Sequence, residues 1–100
     1  MKVFVDQTFF GEFASQAHAQ AVLAQSEIAP ERAQFEARPN EARRLCAEHI
    51  NTHYPEWKQL NLLRAGTKAQ KDQMTAFIDA CRAWSNAEKP NPADLAALQP

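Results

Sequence analysis

The sequence predicts a small, mainly α-helical domain built on an antiparallel helical hairpin, with a short N-terminal β-element. Three observations predict this class. The stretch Thr67 to Asn86, TKAQKDQMTAFIDACRAWSN, repeats apolar residues at Met74, Phe77, Ile78, Cys81 and then Trp84 or Ser85, the i, i+3, i+4, i+7 recurrence of a helix with one buried stripe. The chain holds only two glycines and is rich in alanine, which disfavours a hairpin-rich all-β fold. A short Gly66-Thr67 turn follows a second helical piece, so the flanking helices are expected to be antiparallel neighbours. One domain over residues 1–100 is expected: a strand/helix element (1–25), a linker (26–40), a helical core (41–86) and a C-terminal tail (87–100).

Lys2 to Phe13, KVFVDQTFFGEF, reads in two ways. Val3, Phe4 and Val5 favour a short strand or hairpin lying on the helices, and Gly11 interrupts a helix. Alternatively, Asp6 caps a helix that tolerates Gly11 at a cost of about 1 kcal/mol. Strand followed by helix is the preferred reading. Glu12 to Gln25 predicts a helix with Phe13, Ala17, Ala21 and Ala24 on one stripe. Ser26 to Asn40 carries Pro30 and Pro39 and reads as a linker, with a helical turn or two over Glu31 to Ala37. It either packs through Ile28 and Phe35 or separates two modules, because long irregular connections are uncommon in compact domains.

Asn40 is expected to cap the next helix, whose stripe is Ala42, Leu45, Cys46, His49, Ile50 and His53. Tyr54-Pro55 breaks it, and Pro55 opens EWKQLNLLRA, which places Trp57, Leu60, Asn61 and Arg64 on one side and stops at Gly66. Thr67 and Gln70 form a capping box for the long helix, with Lys68–Asp72 and Asp79–Arg82 as surface pairs. In the tail, Asn91 caps and Pro92 opens a short turn bearing Leu95 and Leu98. Alone it is too short to be stable, so it either docks on the core or orders on a partner.

Several classes of function are disfavoured. Net charge is −1, split into about −2 before Asn40 and about +2 from there to Lys89, so nothing general attracts nucleic acid or an anionic membrane. No apolar run approaches the roughly 20 residues of a membrane span, and no signal-peptide layout opens the chain. No cofactor is expected. Cys46, His49 and His53 lie at i, i+3 and i+7 on one helix face and are zinc-competent types. Paired CxxC motifs are missing, though, and Ile50 stands where HINTH would need a glutamate for a zincin motif, so no metal is expected. A Cys–His nucleophile lacks an oxyanion loop, and Asp72 and Asp79 have the spacing of a solvated face, so no catalytic residue is expected. Arg43, Arg44, Lys58, Arg64 and Lys68 interleave with Glu41, Glu48 and Glu56 as a mixed solvated face. Phe9, Phe10 and Phe13 at one end and Leu95 and Leu98 at the other exceed what a modest core absorbs. These, with Trp57 and Arg64, are the candidate partner-binding residues, and a symmetric homodimer is the first partner to check.

The pattern Pro55-x-Trp57-Lys58-Gln59-x-Asn61, followed by Met74-x-x-Phe77-Ile78-x-x-x-Arg82-x-x-Ser85, resembles small tail-associated proteins of tailed bacteriophages, of the kind encoded beside tail-fibre and baseplate genes. The resemblance covers roughly residues 43–86. It implies a helical hairpin after an N-terminal β-element of the form KVFVD, although a glycine-rich turn after that strand is missing here. The implied role is a non-catalytic tail or tail-fibre accessory or assembly factor. It would work by protein–protein interaction in the host cytoplasm, with incorporation into the virion as one outcome. The alternative is a phage-encoded, anti-CRISPR-like inhibitor that binds a host defence complex. A small metal-binding module is a second alternative and rests only on Cys46, His49 and His53.

Overall fold

A computed structural model describes residues 1–100. The strands are β1 (Lys2–Val5), β2 (Thr8–Glu12) and β3 (Ala33–Glu36). The helices are α1 (Gln16–Gln25), α2 (Pro39–His53), α3 (Glu56–Ala65), α4 (Lys68–Ser85) and α5 (Pro92–Ala97). The chain is therefore mainly α-helical with a short N-terminal β-element, and no helix is long and apolar enough to cross a membrane.

The sheet is antiparallel in the order β2-β1-β3. A two-residue turn joins β1 to β2, with positive φ at both Asp6 (50°) and Gln7 (67°). Such tight hairpins need that backbone and usually take it from glycine. Here the turn is tied down instead: the Asp6 N–H donates to the Arg32 carbonyl at 3.1 Å, and the Asp6 carboxylate pairs with the Arg32 guanidinium. The register shifts between Val3 and Phe4, leaving Phe10 as the extra residue of a β-bulge.

β3 falls inside the expected linker. The proline of Pro30–Arg32 opens only a single 3-10 turn, and Ala33–Glu36 then pairs with β1 rather than coiling into a helix. Of the two readings of this segment, the packed one holds, since Ile28 and Phe35 lie against Val3, Ala19 and Leu23. The buried side of α1 also differs from the alanine stripe expected. Ala19 and Leu23 face the sheet, while Ala17, Ala21 and Ala24 are exposed, because alanine spacing alone does not orient a helix.

The larger core lies between α2, α4 and α5. Met74, Phe77, Cys81 and Trp84 are the buried residues of α4, and they meet Ala42 and Cys46 of α2. The capping box forms as expected, with Thr67 Oγ1 accepting from the Gln70 N–H at 3.2 Å and Gln70 Oε1 accepting from the Thr67 N–H at 2.9 Å. Lys68 pairs with Asp72 at 3.0 Å, whereas Asp79 and Arg82 form no ion pair. α2 begins earlier than expected: Pro39 takes the first position, Arg38 precedes it, and Glu41 Oε1 accepts from the Arg38 N–H at 3.2 Å. Asn40 therefore lies inside the first turn and is not the cap.

α5 docks on the core. Asn91 caps it through a 3.0 Å bond from the Ala93 N–H, its carbonyl accepts from the Trp84 indole at 2.8 Å, and Leu95 is buried. Gly66 ends α3 without positive φ. It is required by proximity, since a Cβ there would sit 2.5 Å from the Leu62 carbonyl oxygen.

Two predictions follow from this packing. Phe77 is 3% exposed, so Phe77→Ala should cost about 3–5 kcal/mol in chemical denaturation, and a loss below about 1 kcal/mol would show that the α4 stripe is not core. The second concerns acid. Hydrogen bonds from Arg32 hold the Asp6 carboxyl below its usual range, and bonds from Arg38 do the same for Glu12, with the guanidinium charge adding in each case. Carboxylates with lowered folded pKa values stabilise the protein above the unfolded range of about 4 and lose that contribution as pH falls through the folded values. The melting-temperature gap between wild type and an Asp6→Asn/Glu12→Gln variant should thus close on acidification below about pH 4. A gap unchanged at acid pH would contradict this.

Candidate partner-binding surfaces

α3 is the anomalous helix. None of its residues is buried. Leu62 packs against the main core, the Gln59 side-chain amide donates to the Tyr54 carbonyl at 2.7 Å, and Lys58 lies over the Tyr54 ring at 5.0 Å. Those three residues turn inward. The opposite side carries Trp57, Leu60 and Leu63, which are 66%, 59% and 59% exposed, with Glu56 and Arg64 also exposed. An ordinary surface helix points its apolar face at the core and its polar face at water. α3 presents most of its apolar residues to solvent, and α4 takes α2 as its main packing partner, with α3 touching it more lightly.

The second surface is β2. Phe9 is 57% exposed and Phe10 37%, on a strand with an open edge. Their rings are steadied by neighbours: Phe4 meets Phe9 edge-on at 5.7 Å, and Phe10 stacks on Phe13 at 6.2 Å. The bulge at Phe10 and the acidic Glu12 keep the edge from being a flat, uniform template for strand pairing.

The other expected binding residues lie elsewhere. Phe13 is half-buried against the sheet core. Leu95 is 4% exposed and Leu98 half-buried, because the Trp84–Asn91 bond and the apolar gap between α2 and α4 draw the tail inward. Leu95 is thereby corrected from a partner contact to a core residue, while Phe13 and Leu98 are partly covered within the chain. Leu60, Leu63 and Glu56 are additions to the expected set. Their signal was present in EWKQLNLLRA, where Leu60 and Leu63 lie on a different arc from Leu62, but the sequence does not say which arc is inside.

The zinc-competent trio does not converge. The His49 Nε2 is 2.9 Å from the Leu98 carbonyl, and His53 meets the Phe77 ring edge-on at 5.1 Å. No group of three or more His, Cys, Asp or Glu side chains has a metal-binding arrangement. Cys46 and Cys81 are buried free thiols, and burial, helped by the neighbouring Cys46, pushes the Cys81 thiol up. The basic residues are also dispersed: Arg44 pairs with Glu48 at 3.0 Å, Lys68 with Asp72, and Arg43 with the Asn40 side chain. Separately, the Met1 ammonium sits 2.8 Å from Glu41 Oε1 and donates to the Phe13 carbonyl at 2.7 Å, fastening β1 and β2 to α2.

Compared with known proteins, the chain matches no family model, no curated protein and no solved structure.

Because Cys81 is fully buried with a raised pKa, the native protein should react with an alkylating agent at Cys81 only on unfolding, and chelator should leave the melting temperature unchanged. A chelator-induced drop with one ion per chain by elemental analysis would promote Cys46, His49 and His53 to ligands.

Proposed function

We propose that the protein is a non-catalytic, stoichiometric protein binder that serves tailed phages as a tail or tail-fibre accessory or assembly factor. The observation that carries this reading is the exposure of Phe9, Phe10, Trp57, Leu60 and Leu63, grouped on one strand and one helix. Grouped apolar residues left exposed on each of two elements mark candidate protein interfaces. The resemblance to tail-associated proteins supports the choice of partner. Among the residues that carry it, Met74 and Phe77 belong to the core, while Trp57 and Asn61 are exposed. β2 offers that partner two exposed aromatic anchors, Phe9 and Phe10, which suit side-chain packing against a tail or fibre subunit.

The test is capture of the tagged protein from phage-producing cells with cross-linking mass spectrometry. A tail or fibre subunit should be recovered in stoichiometric amount. Phe9→Ser/Phe10→Ser should lose it while remaining folded, with wild-type helix content and only the modest fall in melting temperature expected from losing the Phe4–Phe9 and Phe10–Phe13 ring pairs. Recovery of no tail or fibre subunit, or its undiminished recovery by the double variant, would sink the reading.

A further inference from the structure

We infer that the outer face of α3 is a two-fold interface for a second copy of this chain, formed by antiparallel α3–α3 packing centred on Leu60. The arrangement of the exposed residues points to this occupant. Leu60 lies in the middle of the face. Glu56 precedes it by four residues and Arg64 follows by four, while Trp57 precedes it by three and Leu63 follows by three. At about 100° per residue these five side chains share one arc of the helix. Reversing the helix about Leu60 exchanges Glu56 with Arg64 and Trp57 with Leu63. Two copies related by a two-fold axis therefore bring Leu60 against Leu60, each Glu56 against the partner's Arg64, and each Trp57 against the partner's Leu63. An isologous interface requires such self-complementarity. Neither Glu56 nor Arg64 has an ion-pair partner within its own chain, although Arg44 and Lys68 both do. The antiparallel arrangement also sets the positive end of each helix dipole beside the negative end of the other.

The surface area agrees. A compact monomer of 11.3 kDa exposes about 5,700 Å2, whereas this chain exposes 6690 Å2. The excess of about 1,000 Å2 belongs to an elongated molecule of 52 × 22 × 21 Å and leaves room for the roughly 800 Å2 each partner contributes to a standard interface. The radius of gyration, 16.2 Å, likewise exceeds the roughly 13 Å of a compact 100-residue domain. The inward residues Lys58, Gln59 and Leu62 hold α3 in place, so the face is presented ready-formed.

This inference rests on the protein-binding reading above and assigns one of its two surfaces, the outer face of α3, to a second copy of the chain, leaving Phe9 and Phe10 of β2 to the tail protein. Loss of tail-protein capture and loss of self-association are thus separate results. Sedimentation equilibrium of the whole chain, with reductant, should show a dimer at about 100 µM, a concentration suited to a contact at the small end of the interface range. Leu60→Asp changes an exposed residue, so helix content should persist while the dimer Kd rises about a hundredfold, the axis residue acting on both sides at once. Glu56→Arg and Arg64→Glu should each weaken the dimer about tenfold by setting like charges opposite. Glu56→Arg/Arg64→Glu together should restore it to within about twofold, because the swapped pairs re-form across the axis. A wild-type monomer at that concentration, a dimer indifferent to Leu60→Asp, or a double swap no better than the single ones would overturn the inference.

Discussion

The structure depends on one apolar stripe. Met74, Phe77, Cys81 and Trp84 run along α4, and every other part of the helical core is placed against them. Phe77 is the centre. His49, His53 and Tyr54 surround its ring with centroids at 5.5, 5.1 and 5.7 Å, so the end of α2 and the break before α3 are set by a single side chain. Trp84 extends the same constraint to the C-terminus. Its indole N–H would be costly to bury without an acceptor, and the Asn91 carbonyl supplies one. That bond positions the cap of α5, and a six-residue helix that could not persist in water alone then persists by docking.

A second, smaller core of Val3, Ala19 and Leu23 joins the sheet to α1. Phe35 packs against both cores and is the side chain through which they meet. Polar ties reinforce the same seam. The Ala37 N–H donates to the Pro90 carbonyl at 2.8 Å, Arg38 pairs with Glu12, and the Met1 ammonium reaches Glu41. The exposed Arg38–Glu12 pair contributes little, since solvent screens it. The value of these ties lies in register: they connect β1 and β2 to the start of α2, and the end of β3 to the segment before α5, without needing a larger apolar contact.

With both cores satisfied in this way, the apolar residues left over are not scattered. They collect on β2 and on α3. Because β1 has partners on both sides, β2 necessarily has a free edge. Because α2 covers the α4 stripe, α3 is left with only Leu62, Gln59 and Lys58 directed inward. The exposed surfaces are thus consequences of which elements won the core, and they are where a functional reading based on protein contacts has to be placed.

Local periodicity and local chemistry determined a good part of this fold. The α4 stripe, the Thr67–Gln70 capping box, the α2 stripe with half-buried His49 and His53, and the Asn91-Pro92 opening of α5 are all legible in the sequence, because each depends on residues within a turn or two of one another. The tertiary structure alone decided the rest. Ala33–Glu36 becomes a strand only by pairing with β1, some thirty residues away in sequence, and four residues carry too few alternations to announce it. The Asp6-Gln7 turn adopts a glycine-like backbone without glycine while Arg32 holds it in place from another element. Which arc of α3 faces water was equally invisible, since EWKQLNLLRA carries leucines on more than one side and competition for the α4 stripe chooses between them. Local spacing determines which helices form and where they are apolar. Long-range pairing and competition for a limited core determine which apolar faces remain outside, and so where this protein can meet a partner.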